Sequence, residues 1–277
     1  MRKIEAKAQA IAAAGTLFAC PVCGENLVGL GTSLACANGH RYDLNKKGTV
    51  NFLNAPVNTE YGEEMLAARR RVLNAGFFNP FLTEMARQLR PDDRLLDIGC
   101  GEGTPTARLA QKAQLTVGFD ISAPAIKLAG ALDTPALFCV ADLARLPFAD
   151  NSFSAIADIF SPGAYAEFER VLAPGGRILK IIPNSGYLRE LRHALYAGED
   201  KEHYSNAKVK DHFMTRYPEC TVTPITYDFD CTPELFADIV MMTPLTWQAL
   251  ADKRADLLAH PLASIHVDVE LITTSTV

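Results

Sequence analysis

The sequence predicts an α/β protein in which a doubly wound parallel sheet follows a small metal-binding segment. Three observations predict this architecture. Three cysteines and one histidine cluster within residues 20–40. An apolar run ends in glycines at alternate positions, Gly99, Gly101 and Gly103, and a helix-compatible pattern follows, which is typical of a buried strand, a tight turn and a helix. From residue 93 onward, apolar runs and helical patterns alternate as in βα units.

Length and composition set the class of protein. The chain has 277 residues, 48% of them hydrophobic and 21% charged, which suits one large globular domain and a small one. No apolar run reaches the ~20 residues that span a bilayer. Glu5 and Lys7 interrupt a short Ala-rich start, which favours a leading helix over a signal peptide. We expect a cytoplasmic protein without a membrane partner, and leave open whether it is a homodimer.

The net charge of −5 is unevenly distributed along the chain. Residues 1–90 hold 11 Lys and Arg against 7 Asp and Glu, whereas residues 91–277 hold 16 against 25. A basic surface attracts polyanions and an acidic one repels them. The front of the chain is therefore the better candidate for contact with nucleic acid, although solvated charge often has no function.

The cysteine cluster has the spacing of a structural zinc site. Cys20 and Cys23 form a C-x2-C pair, and Cys36 and His40 form a C-x3-H pair twelve residues later. Three thiolates and an imidazole complete a closed tetrahedral ligand set for Zn²⁺. A segment this short has little core of its own, so a metal would supply much of its stability. The alternative is a group of unrelated free cysteines in a reducing compartment.

Basic residues near this cluster are candidates for contact with RNA. Basic and aromatic residues interleave directly after the second ligand pair, which suits phosphates and unpaired bases. The aromatic residues there, Tyr42 and Phe52, fit a small core equally well. A predicted helix from Glu63 to Leu73 carries three consecutive arginines, which point in different directions. The candidate RNA contacts are Arg41, Lys46, Lys47, Arg69, Arg70 and Arg71.

The alternating region predicts five core strands and a terminal pair. Apolar runs bounded by turn residues mark the core strands, and two later β-like segments suit an antiparallel pair. A turn at Val171–Arg177 precedes the fifth strand. The predicted strands are Arg94–Ile98, Leu115–Phe119, Ala136–Val140, Ser154–Phe160 and Ile178–Ile182, followed by Val222–Phe229 and His266–Thr273.

The glycine turn predicts a nucleotide-like cofactor. Glycine permits positive φ and close approach of a ligand, and the next helix begins with free N–H groups. A dinucleotide fingerprint needs a glycine at Thr104, so an NAD-dependent oxidoreductase is disfavoured. The pattern Asp97-x-Gly99-x-Gly101-x-Gly103 instead resembles motif I of class I S-adenosylmethionine-dependent methyltransferases. An ordinary β-α turn is the alternative.

Three acidic residues near strand ends extend this interpretation. Asp120 lies about 20 residues past the turn at the end of the next strand, placed to accept from ribose hydroxyls or to cap the following helix. Asp142 follows the third strand, where the motif I family commonly meets the adenine amine. Asp158 interrupts an apolar strand near the ligand-binding edge of the sheet, and a buried acid is unfavourable unless it is paired or functional. We assign it as a candidate catalytic residue, with a structural role equally open.

The assembled motifs resemble those of the bacterial 23S ribosomal RNA guanine-N1 methyltransferases from about Phe18 to the C-terminus. The shared features are the Cys/Cys/Cys/His set, "ARR" at 68–70, "GFF" at 76–78, "LDIGCGEG" at 96–103, "DLARLPF" at 142–148 and "MTP" at 242–244. The segment "LAPGG" at 172–176 resembles a companion of motif I found in methyltransferases generally. The resemblance implies cofactor contacts from Phe78, from the turn at Gly101 and Glu102, and from Tyr187. Some relatives carry Tyr at the position of Phe78 and His at the position of Tyr187.

Two motifs, "DIFSP" at 158–162 and "YSN" at 204–206, fit best with the Gram-positive-type subgroup, which includes the tylosin-resistance methyltransferase. The resemblance implies methylation of a guanine in the helix 35 hairpin of 23S rRNA, with a contribution to macrolide resistance left open. We predict a zinc-binding RNA-recognition domain at 1–54, a helical linker at 55–90 and a methyltransferase domain at 91–277. A small-molecule methyltransferase and a non-catalytic RNA-binding protein are the alternatives.

Overall fold

The computed structural model describes residues 1–57 and 62–274. Contacts divide the described chain into two compact units, one of residues 1–57, 62 and 85–179, the other of residues 63–84 and 180–274. The predicted domain boundaries at 54 and 90 stay a prediction, because a contact division does not test which segments fold alone. Residues 58–61 of the predicted linker and 275–277 of the predicted methyltransferase domain lie outside the described residues.

The first unit begins with helix α1, Lys3–Ala13, and a small antiparallel sheet, which we call the ribbon. Its four strands are hydrogen-bonded in chain order. They are short, only four of their 13 residues are buried, and in the second strand only Leu27 is. The ribbon strands are β1 Phe18–Ala19, β2 Asn26–Leu30, β3 Ser33–Ala35 and β4 Arg41–Asp43.

The rest of the first unit is the predicted doubly wound sheet. Its strand order is β10-β9-β6-β7-β8-β5, and the pairs β6–β7, β6–β9, β7–β8 and β5–β8 are parallel. The order reverses between β6 and β9, and such a switch point is where open α/β sheets bind ligands. The elements are β5 Val50–Asn51, β6 Arg94–Ile98, α4 Thr104–Leu109, β7 Leu115–Asp120, α5 Ala123–Ala129, β8 Leu137–Val140, β9 Phe153–Ile159, α6 Tyr165–Val171 and β10 Leu172–Pro183, whose end enters the second unit.

The predicted strands agree with these bounds to within a few residues, apart from the fifth. We expected a turn at Val171–Arg177, but β10 already begins at Leu172. Gly175 takes a φ of 78° inside the strand, a conformation open to glycine that bends the chain without ending the strand.

The second unit combines helices with the predicted antiparallel pair. Strands β11 and β12 pair from Cys220 opposite Thr274 to Asp230 opposite Ser264. The helix predicted from Glu63 to Leu73 is confirmed. The elements are α2 Glu63–Asn74, α3 Asn79–Arg87, whose last residues enter the first unit, α7 Arg189–Tyr196, a 3-10 helix at Asp200–Glu202, α8 Ala207–Arg216, β11 Cys220–Asp230, α9 Pro233–Met242, α10 Pro244–Trp247, α11 Ala251–Ala259 and β12 Ser264–Thr274. None of the helices in residues 1–57 and 62–274 has the length and apolar character to cross a membrane.

Candidate functional site

The four predicted zinc ligands lie together in the ribbon. Their ligand atoms are all within 4.8 Å of one another. Cys23 Sγ lies 3.8 Å from Cys36 Sγ, and Cys36 Sγ lies 3.4 Å from His40 Nδ1. Tetrahedral zinc, with Zn–S near 2.3 Å and Zn–N near 2.0 Å, requires separations of about 3.8 Å and about 3.5 Å. The donor set and its spacing therefore fit a structural zinc ion.

Two tight turns bring the ligand pairs together. The Gly24 amide donates to the Cys20 carbonyl at 2.8 Å, and the Gly39 amide donates to the Cys36 carbonyl at 3.0 Å. Both glycines have φ near +80° with open space where a Cβ would stand. They are needed for their backbone conformation rather than for close packing.

The aromatic residues after the ligands, Tyr42 in the ribbon and Phe52 directly after β5, pack against each other, which is the core role that the sequence leaves open. The Tyr42 hydroxyl lies 3.7 Å from Cys20 Sγ, and the Tyr42 ring lies 5.0 Å from that of Phe52. Burial raises the pKa of Tyr42, and its hydrogen bond to Cys20 raises it further.

The glycine turn follows β6, and its backbone is left-handed at all three glycines. Gly99, Gly101 and Gly103 have φ values of 61°, 57° and 88°, which L side chains rarely adopt. A Cβ on Gly103 would also stand 2.7 Å from the Cβ of Ala129 in α5. The turn thus requires glycine at all three positions for backbone conformation, and at Gly103 also for close packing. An ordinary connection between a strand and a helix does not require three glycines.

Asp120 is held against this turn. Its Oδ2 accepts from the Gly101 amide at 2.9 Å, and its Oδ1 accepts from the Ser122 amide at 2.8 Å. The N-cap of α5 is Ser122, whose Oγ accepts from the Ala125 amide at 3.3 Å, so Asp120 does not cap the helix as we had considered. Its carboxylate is half-buried at the end of β7, which suits the predicted role with a ribose.

Two further acids of the motif secure the start of α4. Asp97 is buried and accepts from Thr106 Oγ1 at 2.5 Å. Glu102 is also buried and accepts from the Thr104 amide and hydroxyl at 3.2 and 2.7 Å. Sequence reasoning did not identify the two threonines, although both lie in the first turn of the predicted helix. These bonds hold the glycine turn between a fixed strand and a fixed helix.

The remaining predicted acids differ in exposure. Asp142 is exposed, and its Oδ1 accepts from the Ala144 amide at 2.9 Å. Asp158 is fully buried, and its Oδ1 accepts from the Ser161 amide at 3.1 Å. Ser161, which belongs to the "DIFSP" motif, also donates from Oγ to the carbonyl of Ile98 at 2.9 Å. The loop after β9 is therefore tied to the residue that precedes the glycine turn.

The first unit thus brings most of the predicted cofactor residues to one edge of the sheet. Because neighbouring strands are parallel, their carboxyl ends meet at the same edge. The residues at this edge are Asp97, Gly99, Gly101, Glu102, Gly103, Asp120, Asp142 and Asp158. A turn with glycine at alternate positions beside an oriented carboxylate fits an adenosine-containing cofactor such as S-adenosylmethionine.

Phe78 and Tyr187 belong to the second unit. The Arg69 guanidinium lies 5.4 Å from the centroid of the buried Phe78 ring. Burial raises the pKa of the half-buried Tyr187, and the charges of Arg69 and Arg192 oppose that shift. Arg69, Phe78 and Tyr187 therefore form one local group, which neither helical spacing nor strand pattern could predict.

The predicted RNA-binding residues have different surroundings. Arg71 forms two hydrogen bonds with Asp238, at 2.7 and 2.5 Å. Lys47 donates from Nζ to the carbonyl of Lys127 at 3.1 Å. Arg41 and Lys46 are exposed, and Arg70 is half-buried. Arg71 is itself exposed, and Arg41 is likewise engaged by a carboxylate, that of Asp43 at 3.2 Å, so exposure alone does not rank these residues as partners for a polyanion.

Comparisons with known proteins match both regions of the chain. Residues 96–179 match a family model described as a methyltransferase domain, and residues 18–60 match one described as the N-terminal zinc ribbon of RlmA. A protein of Bacillus subtilis named as a 23S rRNA (guanine-N1)-methyltransferase is 35% identical, the match covering 93% of this chain and 96% of that one. The 23S rRNA (guanine(748)-N1)-methyltransferase of Streptomyces fradiae is 30% identical over 93% of this chain and 95% of its own.

Proposed function

The chain belongs to the family of 23S rRNA (guanine-N1)-methyltransferases, and on that premise we propose that it methylates N1 of a guanine in the helix 35 hairpin of 23S rRNA. It is an S-adenosylmethionine-dependent methyltransferase with a zinc ribbon. The observation that carries the proposal is the pairing, in one compact unit, of a Cys3His ribbon with a glycine turn held by Asp120. A small-molecule methyltransferase has little need of such a ribbon.

The choice of nucleotide is supported by resemblance to one subgroup. The Streptomyces fradiae relative is named for N1-methylation of guanine 748. The segments Asp158–Pro162 and Tyr204–Asn206 fit the Gram-positive-type subgroup, and the helix 35 hairpin is proposed on that likeness. We propose further that the modification contributes to macrolide (tylosin) resistance, that the enzyme works in the cytoplasm, and that a homodimer is its assembly.

The chemistry assigns separate tasks to the residues at the sheet edge. S-adenosylmethionine supplies a methyl group on a sulfonium sulfur. We assign the ribose hydroxyls to Asp120 and the adenine amine to Asp142, with the glycine turn admitting the cofactor closely. Phe78 and Tyr187 are proposed as additional cofactor contacts. N1 of guanine carries a proton at neutral pH, and this proton must leave as the methyl arrives.

We propose Asp158 as the group that takes this proton or orients the guanine. Asn at this position can still accept from the Ser161 amide, so Asp158→Asn tests the charge while preserving the loop. We expect single-turnover methylation to fall by about 10²–10⁴-fold, the usual contribution of a general base. Asp92→Asn, at an exposed site, is the matched control. A near-wild-type rate would contradict the proposal.

The RNA contacts are proposed on the ribbon and on α2, at Arg41, Lys46, Lys47, Arg69, Arg70 and Arg71. We expect Arg70→Glu to weaken RNA binding about tenfold and to flatten its salt dependence, since a phosphate contact contributes a slope near −0.7 to −0.9. Binding of S-adenosylhomocysteine should not change. Lys112→Glu is the comparison variant, because it reverses one charge at an exposed site outside the ribbon and α2. Equal loss of RNA and cofactor binding would indicate misfolding instead.

The decisive experiment maps the methylated nucleotide. Full-length 23S rRNA and a helix 35 transcript are incubated with the protein and labelled cofactor, and primer extension locates the stop that an N1-methyl group causes on the Watson–Crick face of guanine. One stop within the hairpin is expected. RNA binding without product, or label transferred only to metabolites, would replace this proposal with one of the alternatives.

A further inference from the structure

The ribbon is joined to a particular segment of the sheet region, residues 141–149, which we call the β8–β9 segment. The Ala19 amide donates to the Pro147 carbonyl at 3.0 Å, and the Ala149 amide donates to the Leu17 carbonyl at 3.0 Å. These bonds flank an antiparallel bridge between Phe18 and Phe148, whose buried rings lie 5.5 Å apart. The first strand of the ribbon therefore pairs with the end of this segment.

A second contact reaches the zinc ligands more directly. Arg145, within the β8–β9 segment, donates from Nη2 to the Val22 carbonyl at 3.3 Å. Val22 lies between the ligands Cys20 and Cys23, and Ala19 precedes Cys20 in the chain. The backbone of the first ligand pair is thus bound on both sides to the segment.

The other end of the β8–β9 segment lies at the cofactor edge. The Ala141 amide donates to the Asp120 carbonyl at 3.1 Å, and the Asp120 carboxylate in turn holds the Gly101 amide. The Arg145 amide donates to the Asp142 carbonyl at 3.1 Å. Asp142 and Arg145 are therefore the two ends of one turn. Asp142 lies at the cofactor edge, and Arg145 contacts the backbone between two zinc ligands.

We propose that the zinc ribbon positions the Asp142 turn, with Arg145 and the Phe18–Phe148 bridge as positioning residues, so that zinc and S-adenosylmethionine bind cooperatively. The inference rests on the proposed cofactor role of Asp120 and Asp142. It extends the role of the ribbon beyond RNA recognition.

The physical basis is the small core of the ribbon. A metal-bound segment of this size loses order without its ion, and β1 then no longer holds the β8–β9 segment. Cofactor binding has to restore that order, which lowers the affinity. Because linkage is reciprocal, the cofactor must strengthen zinc binding by the same factor. A coupling of about tenfold lies within the usual range.

The test uses the full chain and two equilibrium measurements. Calorimetry gives the Kd of S-adenosylhomocysteine for zinc-loaded and chelator-stripped protein, and we expect about tenfold weaker binding to the stripped form. A chromophoric chelator titration gives the zinc affinity with and without S-adenosylhomocysteine, and we expect a matching factor. Neither readout requires methyl transfer, so an inactive enzyme would refute the proposed function without touching this coupling.

A variant separates positioning from general damage. Arg145→Ala leaves all four ligands and both phenylalanines in place, so zinc should stay bound at one ion per chain while the coupling falls. Arg145→Lys, which keeps a donor, should restore part of it, and Lys112→Ala is the control for loss of an exposed cation. Equal S-adenosylhomocysteine affinity with and without zinc would overturn the proposal, as would coupling unchanged in Arg145→Ala.

Discussion

The ribbon and the parallel sheet belong to the same compact unit but are stabilised by different forces. In β8 all four residues are buried, and in β6 four of five are. In ribbon strand β2 one residue of five is buried, and in β4 none is. Burial of apolar surface stabilises the sheet at roughly 25 cal/mol per Å², whereas the ribbon depends on four ligand atoms that converge on one point.

This difference predicts that the ribbon and the sheet, although neighbours in one unit, can lose their folded structure separately. A chelator should act on the ribbon and on the β8–β9 segment that it holds, and should leave a central strand such as β6 in place. A core substitution acts in the opposite way, because the metal does not depend on the strand packing. Each region can therefore be broken by a change that the other should resist.

The largest effect should follow removal of a zinc ligand. Cys36→Ser removes one thiolate from a site of the kind that contributes apparent binding energies of about 10–16 kcal/mol in zinc peptides. We expect zinc content to fall from one ion per chain to near zero. Hydrogen exchange should become fast in the ribbon, residues 18–43, and stay slow in β6. Mass spectrometry measures both regions in one experiment.

The control is Cys220→Ser, a half-buried thiol outside the cluster. It should keep its zinc and its ribbon protection. A fully loaded Cys36→Ser protein, or loss of protection in β6 as well, would show that the ribbon and the sheet do not fail separately.

A smaller but still large effect should follow from breaking the buried ion pair between strand β10 and the residue that precedes β6. Arg177 pairs with Asp93, both side chains are buried, and Arg177 also donates to the Gln88 carbonyl at 2.7 Å. Arg177→Met leaves the Asp93 carboxylate buried without its cation, a change that costs about 3–5 kcal/mol. Urea unfolding should report this loss while zinc content stays at one ion per chain. An unchanged midpoint would show that solvent reaches Asp93.

The same pair predicts an acid-dependent loss of stability. Burial would raise the pKa of Asp93, but hydrogen bonds from Arg177, the Arg90 amide and Ser154 outweigh it and hold the pKa below its usual value. A carboxyl with a lowered folded-state pKa stabilises above its unfolded pKa, near 4, and loses that contribution as the pH falls through the folded value. The free energy of unfolding of the wild type, measured at each pH, should therefore fall in acid. That of Asp93→Asn should lack the part of this fall that comes from Asp93.

The sequence predicted those features that depend on neighbours along the chain. The zinc ligands, the glycine turn and the strands β6–β9 are local patterns of spacing and periodicity, so they could be read directly. The partners of the basic residues could not, because Arg71 meets Asp238 and Lys47 meets Lys127 only after folding. For the same reason the bridge between Phe18 and Phe148 carried no sequence signal.

The smallest expected effect concerns α1, which precedes the ribbon but is anchored beside the sheet. Lys7 is buried and donates from Nζ to the carbonyls of Thr134 and Ala136 at 2.6 and 2.7 Å. Burial lowers the pKa of Lys7 to about 8, and the charge of Lys3 lowers it further while Asp133 opposes the shift.

Between pH 8 and 10.5 the unfolded chain therefore binds more protons at Lys7 than the folded one, so stability should rise with pH across this window. We expect the free energy of unfolding to rise by about 1 kcal/mol across this window, because the site is partly solvated. The measurement is the difference in unfolding free energy between wild type and Lys7→Met at each pH. The rise should persist in chelator-stripped protein, because the carbonyl partners of Lys7 border β8 rather than the ribbon. If stripping zinc abolishes the rise, α1 depends on the ribbon. The region that zinc stabilises would then include the N-terminal helix as well as the ribbon.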